Sequence, residues 1–409
     1  MTNTVLERDP RLVLQEEGAG AYVRATLNRM RTGDLGSLPV VIGIIIIWAV
    51  FQSQDSAFLS PRNLVALAVQ ISYGGLISLG IVMVLLLGEI DLSVGSMSGL
   101  CASVVGVLSV SHGWNPVLSI LVAVAVGAGF GALQGFFFTR FHIPSFVVTL
   151  AGLLAFLGMQ LKVLGDTGTL NFPFGGVISD LTNTHFGPGV AYTLAILAVV
   201  AYAATMLATR QRRSSAGLTH EPMFALGVRV VVVAIVLLVA VWELERAQGL
   251  PLAFVIFMAC VLLFAMLTTG TTYGRHVFAV GGNVEAARRA GINISMIHIT
   301  VFAISGGMAA FGGVMNASYT LSVSQSSGGS DLLLYSIAAA VIGGTSLFGG
   351  RGSAWSALLG WLVIGSIYNG MFLLGLKSDV QYMVIGGVLL VAAAVDALGR
   401  RGREASGRG

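Results

Sequence analysis

Apolar residues run along this chain in long blocks, and the short stretches between them hold almost all of its charge. A helix needs about 20 mostly apolar residues to cross the hydrocarbon core of a bilayer. Blocks that meet or approach that length centre on residues 38–52, 64–87, 95–111, 117–138, 145–164, 189–208, 229–243, 251–269, 297–316, 331–348, 354–375 and 380–398. Charge, glycine and proline mark their ends. The pattern predicts an all-α polytopic membrane protein with about 12 transmembrane helices, about 10 being the alternative if one adjacent pair does not cross. Residues 1–36 are polar and mixed in charge, unlike the short basic region of a cleavable signal peptide, and are expected to form a cytosolic tail. The transmembrane domain is expected over 37–398, with a cytosolic loop at 270–296 and a basic cytosolic tail at 399–409.

Lys and Arg accumulate on the cytosolic side of membrane proteins, which tests the threading. With the N-terminus inside, 18 of the 22 basic residues fall on cytosolic segments, and Arg62, Lys162, Arg246 and Lys377 remain outside. That bias favours an even number of crossings with both termini in the cytosol. Trp48, Trp114 and Trp242 then fall near outer span ends and Trp355 near an inner one, as in interfacial belts.

Composition sharpens the reading by exclusion. The chain is 56% hydrophobic and 10% charged, with a mean hydropathy of +0.88. A soluble domain carries roughly 25% charged residues, so a water-soluble fold is excluded. The net charge of +4 is spread over short clusters, which gives no nucleic-acid surface. Cys101 and Cys260 lie far apart in apolar blocks and read as packing residues. His112, His142, His185 and His298 have no partner at i+4, so no metal site is predicted. Gly80, Gly88, Gly95 and Gly99, and Gly127, Gly131 and Gly135, have the small-residue spacing of close helix crossings.

The inner loop contains Arg275, then Asn283, Glu285, Ala286, Ala287, Arg288 and Gly291. Asn283 suits an N-cap and Gly291 a C-cap, so a short helix is predicted over 285–290, under the membrane. It is suited to docking a soluble partner, or is a solvated loop helix without one. Glu285-Ala286-Ala287 followed by Gly291 resembles the EAA-type coupling loop of ATP-binding-cassette (ABC) importer permeases, which contacts the ATPase subunit. The stretch Gly88, Glu89, Ile90, Asp91, Leu92, Ser93, Val94, Gly95, Ser96 resembles a signature of the monosaccharide branch of that superfamily, the ribose, arabinose and xylose permeases. Residues 337–346 and 349–353 resemble a further run of the same branch. Glu89, the stretch from Pro144 to Gly152 and the basic segment from Arg210 to Arg229 are most like the xylose type. The resemblance spans residues 57 to 398.

Acidic groups inside a bilayer cost at least about 2.5 kcal/mol, so Glu89 and Asp91 are expected at an interface or against a polar partner. Asp91 is a fair N-cap for a helix starting near Ser93; the pair either caps a helix entry at the cytosolic boundary or transmits movement to the ATPase. A sugar offers hydroxyls and no charge, and Gln70, Ser72, Tyr73, Asn316, Tyr319, Asn369 and Gln381 supply uncharged hydrogen-bonding groups for a path. Each is equally a candidate for glue between helices.

Both lysines, Lys162 and Lys377, follow leucine, so no Gly-Lys dipeptide of a phosphate-binding loop exists here. The resemblance implies a transport subunit rather than an enzyme, with no cofactor of its own and ATP used by a separate cytosolic ATPase. It also implies a type II importer-like fold, a second permease copy and an extracytoplasmic sugar-binding protein docking near 165–188 and 317–330, in a bacterial inner membrane. An ion-coupled secondary transporter is the competing reading, and it would need acidic groups at the bilayer midplane.

Overall fold

The computed structural model describes residues 38–216 and 222–405, so the tail expected at 1–36 lies outside the described residues. Two compact units emerge. One contains Phe186–Leu250, a hairpin of α7 (Pro188–Ser215) and α8 (Met223–Glu245). Its surface is apolar, with Ile196, Val200, Val232, Ile235 and Val236 exposed. Arg212 and Arg213 occupy the last turn of α7.

The other unit holds Ser37–His185 and Pro251–Gly409. In chain order its helices are α1 (Leu38–Gln54), α2 (Pro61–Leu86), α3 (Val94–Gly106), α4 (Pro116–Phe141), α5 (Ser145–Leu164) and α6 (Val177–Asn183). After the hairpin follow α9 (Leu252–Gly270), α10 (Thr272–Gly282), α11 (Val284–Arg289), α12 (Ile294–Thr320), α13 (Ser330–Ile342), α14 (Trp355–Leu373) and α15 (Ser378–Ala405). Their starts are written locally: Ser60 caps α2 ahead of Pro61, and Asn115 caps α4 ahead of Pro116, accepting from Val117 and Leu118 N–H.

α2 is the axis of this unit, buried from Leu67 to Leu86 and packed by α12, α14, α13 and α9. The outer helices reverse the usual amphipathic order. On α4 the buried stripe is Ser119, Ala123, Gly127, Gly131 and Gly135, whereas Leu121, Leu133, Phe136, Phe137 and Phe141 are exposed. Small residues face the protein and large apolar ones face outward, as helices in lipid require. The Gly127, Gly131 and Gly135 spacing packs α4 on α12: a Cβ at Gly135 would lie 2.7 Å from Ile299 Cα, and one at Gly131 would run into the Phe302 carbonyl. The Gly80 to Gly99 series serves mixed ends. Gly80 meets Ser305 on α12, Gly88 sits in a turn at φ +78°, and Gly95 and Gly99 face the segment at 327–329.

Among the described residues nine helices are long and apolar enough to cross a membrane, counting α3 with its π-helical continuation to Ser111. The apolar helices Val40–Gln54, Ser330–Ile342 and Ser378–Val391 are shorter. The block at 331–348 differs most from expectation. α13 stops at Ile342 because Gly343 and Gly344 break it, and 13 residues rise only about 20 Å. α15 continues through the basic C-terminal stretch to Ala405. A short antiparallel ladder joins Thr169–Asn171 to Ser322–Ser324, bringing together the two segments expected to dock a binding protein.

Candidate functional site

The loop at 270–296 folds into two helices at an angle set by Asn283. Its backbone leaves the helical range at φ −160°, and its Oδ1 accepts from Ala286 N–H at 2.9 Å, starting α11. At the other end Gly291 adopts φ +81°, with Gly291 N–H on Arg288 O and Ile292 N–H on Ala287 O, a Schellman ending. Ala287 is buried against the bundle, whereas Glu285, Ala286 and Arg288 are exposed. Arg288 Nη1 donates to Glu285 Oε1 at 2.9 Å, and Arg275, exposed on α10, donates to Thr272 Oγ1. α11 is thus a clamped, two-ended helix with a charged outer face.

The stretch after α2 climbs into the bundle. Glu89 Oε1 lies 3.8 Å from His298 Nε2, and two residues later Asp91 Oδ2 accepts from Ser305 Oγ at 2.9 Å. Ser305 stands two turns above His298 on α12, about 10 Å along its axis. Asp91 therefore lies deeper in the bundle than Glu89, and the residue is 3% exposed. It is not the N-cap either. Ser93 occupies that place, and Asp91 Oδ1 accepts from Ser93 N–H at 2.9 Å and Ser93 Oγ at 2.7 Å. Gln134 Nε2 of α4 donates to Ser93 Oγ at 3.0 Å, and Gly95 packs under Leu333 of α13. Burial raises the Asp91 pKa above the usual carboxylate range, against the lowering effect of its Ser93 and Ser305 hydrogen bonds. Gln134, His298 and Ser305 were not singled out as partners by the sequence, although isolated polar groups in apolar blocks are the signal that marks them.

Four of the seven path candidates come together. Gln70 Nε2 donates to Tyr319 OH at 3.2 Å, Asn369 Nδ2 to Gln70 Oε1 at 3.4 Å, and the Tyr73 and Tyr319 rings are 5.6 Å apart. Asn63, which sequence reasoning missed, pairs with Asn369 through bonds of 2.7 and 3.1 Å. Tyr319 is 39% exposed at the rim. Beyond it Tyr382 OH donates to Asp331 Oδ2 at 2.6 Å, and the Tyr335 and Tyr368 rings are 5.8 Å apart. Asn316 faces elsewhere, into a narrow cleft with Ser98, Gly99, Ser327 and Gly328. Gln381 donates to Leu376 O and Ser72 to Ala68 O, so both serve their own chain neighbourhoods. The arrangement offers aromatic faces and amides at one end of the bundle and, on the loop at 270–296, a capped helix with a charged face.

The family described as the branched-chain amino acid transport system / permease component matches residues 63–393. The xylose transport system permease protein XylH of Escherichia coli (strain K12) is 36% identical over 91% of this chain and 94% of its own length. The protein of that description from Haemophilus influenzae is 34% identical over 90% of this chain and 98% of its own. The ribose import permease protein RbsC of Bacillus subtilis is 30% identical over 89% of this chain and 94% of its own. No solved structure matches. With the family match running through every element from α2 to α14, and with relatives aligned along nearly their whole length, this chain belongs to the branched-chain amino acid transport system / permease component family.

Proposed function

We propose that this chain is the membrane permease subunit of an ABC importer that carries a monosaccharide, D-xylose foremost, into the cytosol by alternating access. The observation that carries the reading is the near full-length similarity to xylose permeases in a chain whose uncharged amides and tyrosines gather at one end of α2, α12 and α14. Sugar hydroxyls suit such groups, which now bond one another and would exchange partners as a sugar passes. Gln70, Tyr73, Tyr319 and Asn369 line the path with Asn63, and Asn316 borders it from the neighbouring cleft.

Twelve crossings in a type II importer-like arrangement are proposed, with α1, α13 and α15 as the shorter ones and both termini in the cytosol. α11 docks a cytosolic ATPase through Glu285 and Arg288. One short helix engages one ATPase half, so the unit is a homodimer. A sugar-binding protein docks on the paired segments at 169–171 and 322–324. The chain itself binds no cofactor.

The test is uptake of labelled xylose, ribose and arabinose into proteoliposomes containing this chain, with and without the ATPase, the binding protein and ATP. Uptake that needs both partners and ATP, with xylose leading, is the expected result. Ion-driven uptake by the chain alone would replace the proposal with a secondary transporter.

A further inference from the structure

Three sequence stretches far apart in the chain meet at one point on the inner loop. α2 ends at Leu86, whose carbonyl has no partner within its own helix, and Gly350 N–H donates to it at 2.9 Å. Gly281, in the last turn of α10, lies against the same atom. A Cβ there would run into the Leu86 carbonyl and come within 2.9 Å of Gly350 N, breaking into that hydrogen bond. Gly349 closes the third side: its Cβ would lie 2.6 Å from Gly281 O and 2.8 Å from Gly88 N. Gly88, Gly349 and Gly350 hold φ of 78°, 82° and 70°, so the backbone path also requires glycine. The next residue on α10, Gly282, has nothing within 4 Å of a Cβ. The Gly282 backbone also borders Gly350, whose Cβ would lie 3.0 Å from Gly282 Cα, but a side chain at 282 would point away from the contact.

Backbones in direct contact leave no side-chain rotamer to absorb a displacement, and packed interiors transmit strain. α10 leads straight into α11 through Asn283, and the segment at 343–353 links α13 to α14. We infer that Gly281, Gly349 and Gly88 form the joint through which a displacement of α10 and α11 reaches the α13–α14 pair and the loop carrying Asp91. This rests on the proposed docking of an ATPase at α11. Gly281 is a positioning residue, touching neither sugar nor nucleotide.

Gly281→Ala and Gly282→Ala make the same chemical change on adjacent residues of one helix, and only the first enters the joint. In proteoliposomes with the ATPase and the binding protein, G282A is expected to match wild type in ATPase co-purification, ATP hydrolysis and xylose uptake. G281A is expected to keep co-purification and hydrolysis while sugar moved per ATP falls at least tenfold. Normal uptake by G281A would overturn the joint while leaving docking intact. A wild-type chain that does not bind the ATPase overturns the docking reading and the joint with it.

If G281A does not insert, hydrogen exchange on the wild-type complex decides. Removing the ATPase is expected to change amide protection at 281–291 and at 345–352 together. A change confined to 281–291 would overturn the joint.

Discussion

Asp91→Ala strands the Ser93 N–H and the Ser305 hydroxyl inside the bundle, both of which now donate to the carboxylate, and leaves the Ser93 hydroxyl with Gln134 alone. A buried donor without a partner costs about 1–3 kcal/mol, so D91A is expected to lower the melting temperature of the detergent-solubilised chain clearly more than Asp91→Asn. The asparagine keeps an oxygen for Ser93 and can donate to Ser305. Equal melting of the two variants would show that the hydrogen bonds contribute little. The pH dependence carries an independent sign. Burial raises the Asp91 pKa, so the folded chain holds this proton more tightly than the unfolded one. That stabilisation is full below the unfolded carboxylate value, about 4, and is lost as pH rises through the higher folded value. D91N lacks this slope, and its melting curve against pH should be flatter than that of wild type just above the ordinary carboxylate range. The Asp91–Ser93 contact is local and could be read in the sequence as a turn. Ser305 is 214 residues away, and no spacing rule reaches it.

At the scale of elements the seam between α4 and α12 makes a comparable prediction. Gly131→Ala places a methyl group against the Phe302 carbonyl, whereas Gly129→Ala points it into open space on the same helix. Ala favours a helix over Gly by about 1 kcal/mol, so G129A should be neutral or slightly stabilising. G131A should lose about 1–3 kcal/mol through overpacking, read as a lower melting temperature. Similar melting of both variants would mean that the helices separate without cost. On α11, Glu285→Arg breaks an exposed pair with Arg288, and both side chains are 64% exposed, so stability should not change. The charge reversal should abolish ATPase co-purification and uptake, and normal uptake would remove the coupling role from this face. The ends of α11 were legible because Asn283 and Gly291 act on their own neighbours. The end of α13 was not: Ala338 to Ile342 and the glycines after them form one apolar run, and hydropathy does not register that Gly344 turns to φ +106°. Length, rather than apolarity, sets the 13-residue α13 apart from the longer helices.

For the whole molecule the ladder between Thr169–Asn171 and Ser322–Ser324 imposes a parity condition. Its two strands share one side of the membrane, so the chain between them crosses an even number of times. α7, α8, α9 and α12 supply four helices of sufficient length and hydropathy, and failure of any single one to cross would break the ladder. Charge predicts which side it occupies. The segments at 165–187 and 321–329 contain no Lys or Arg, whereas Arg210, Arg212, Arg213, Arg275, Arg288 and Arg289 fall on the connections at the opposite helix ends. Single cysteines at the exposed positions Asn171, Arg212, Arg288 and Gln325 test this directly, in a chain with Cys101 and Cys260 replaced by Ala. A membrane-impermeant maleimide added to intact cells should label positions 171 and 325 and spare 212 and 288. Inverted vesicles should give the reverse pattern. Labelling of 171 and 325 from opposite sides would break the ladder itself. Labelling of 212 and 288 from outside would keep the fold but invert it, and α11 would then face away from any cytosolic ATPase.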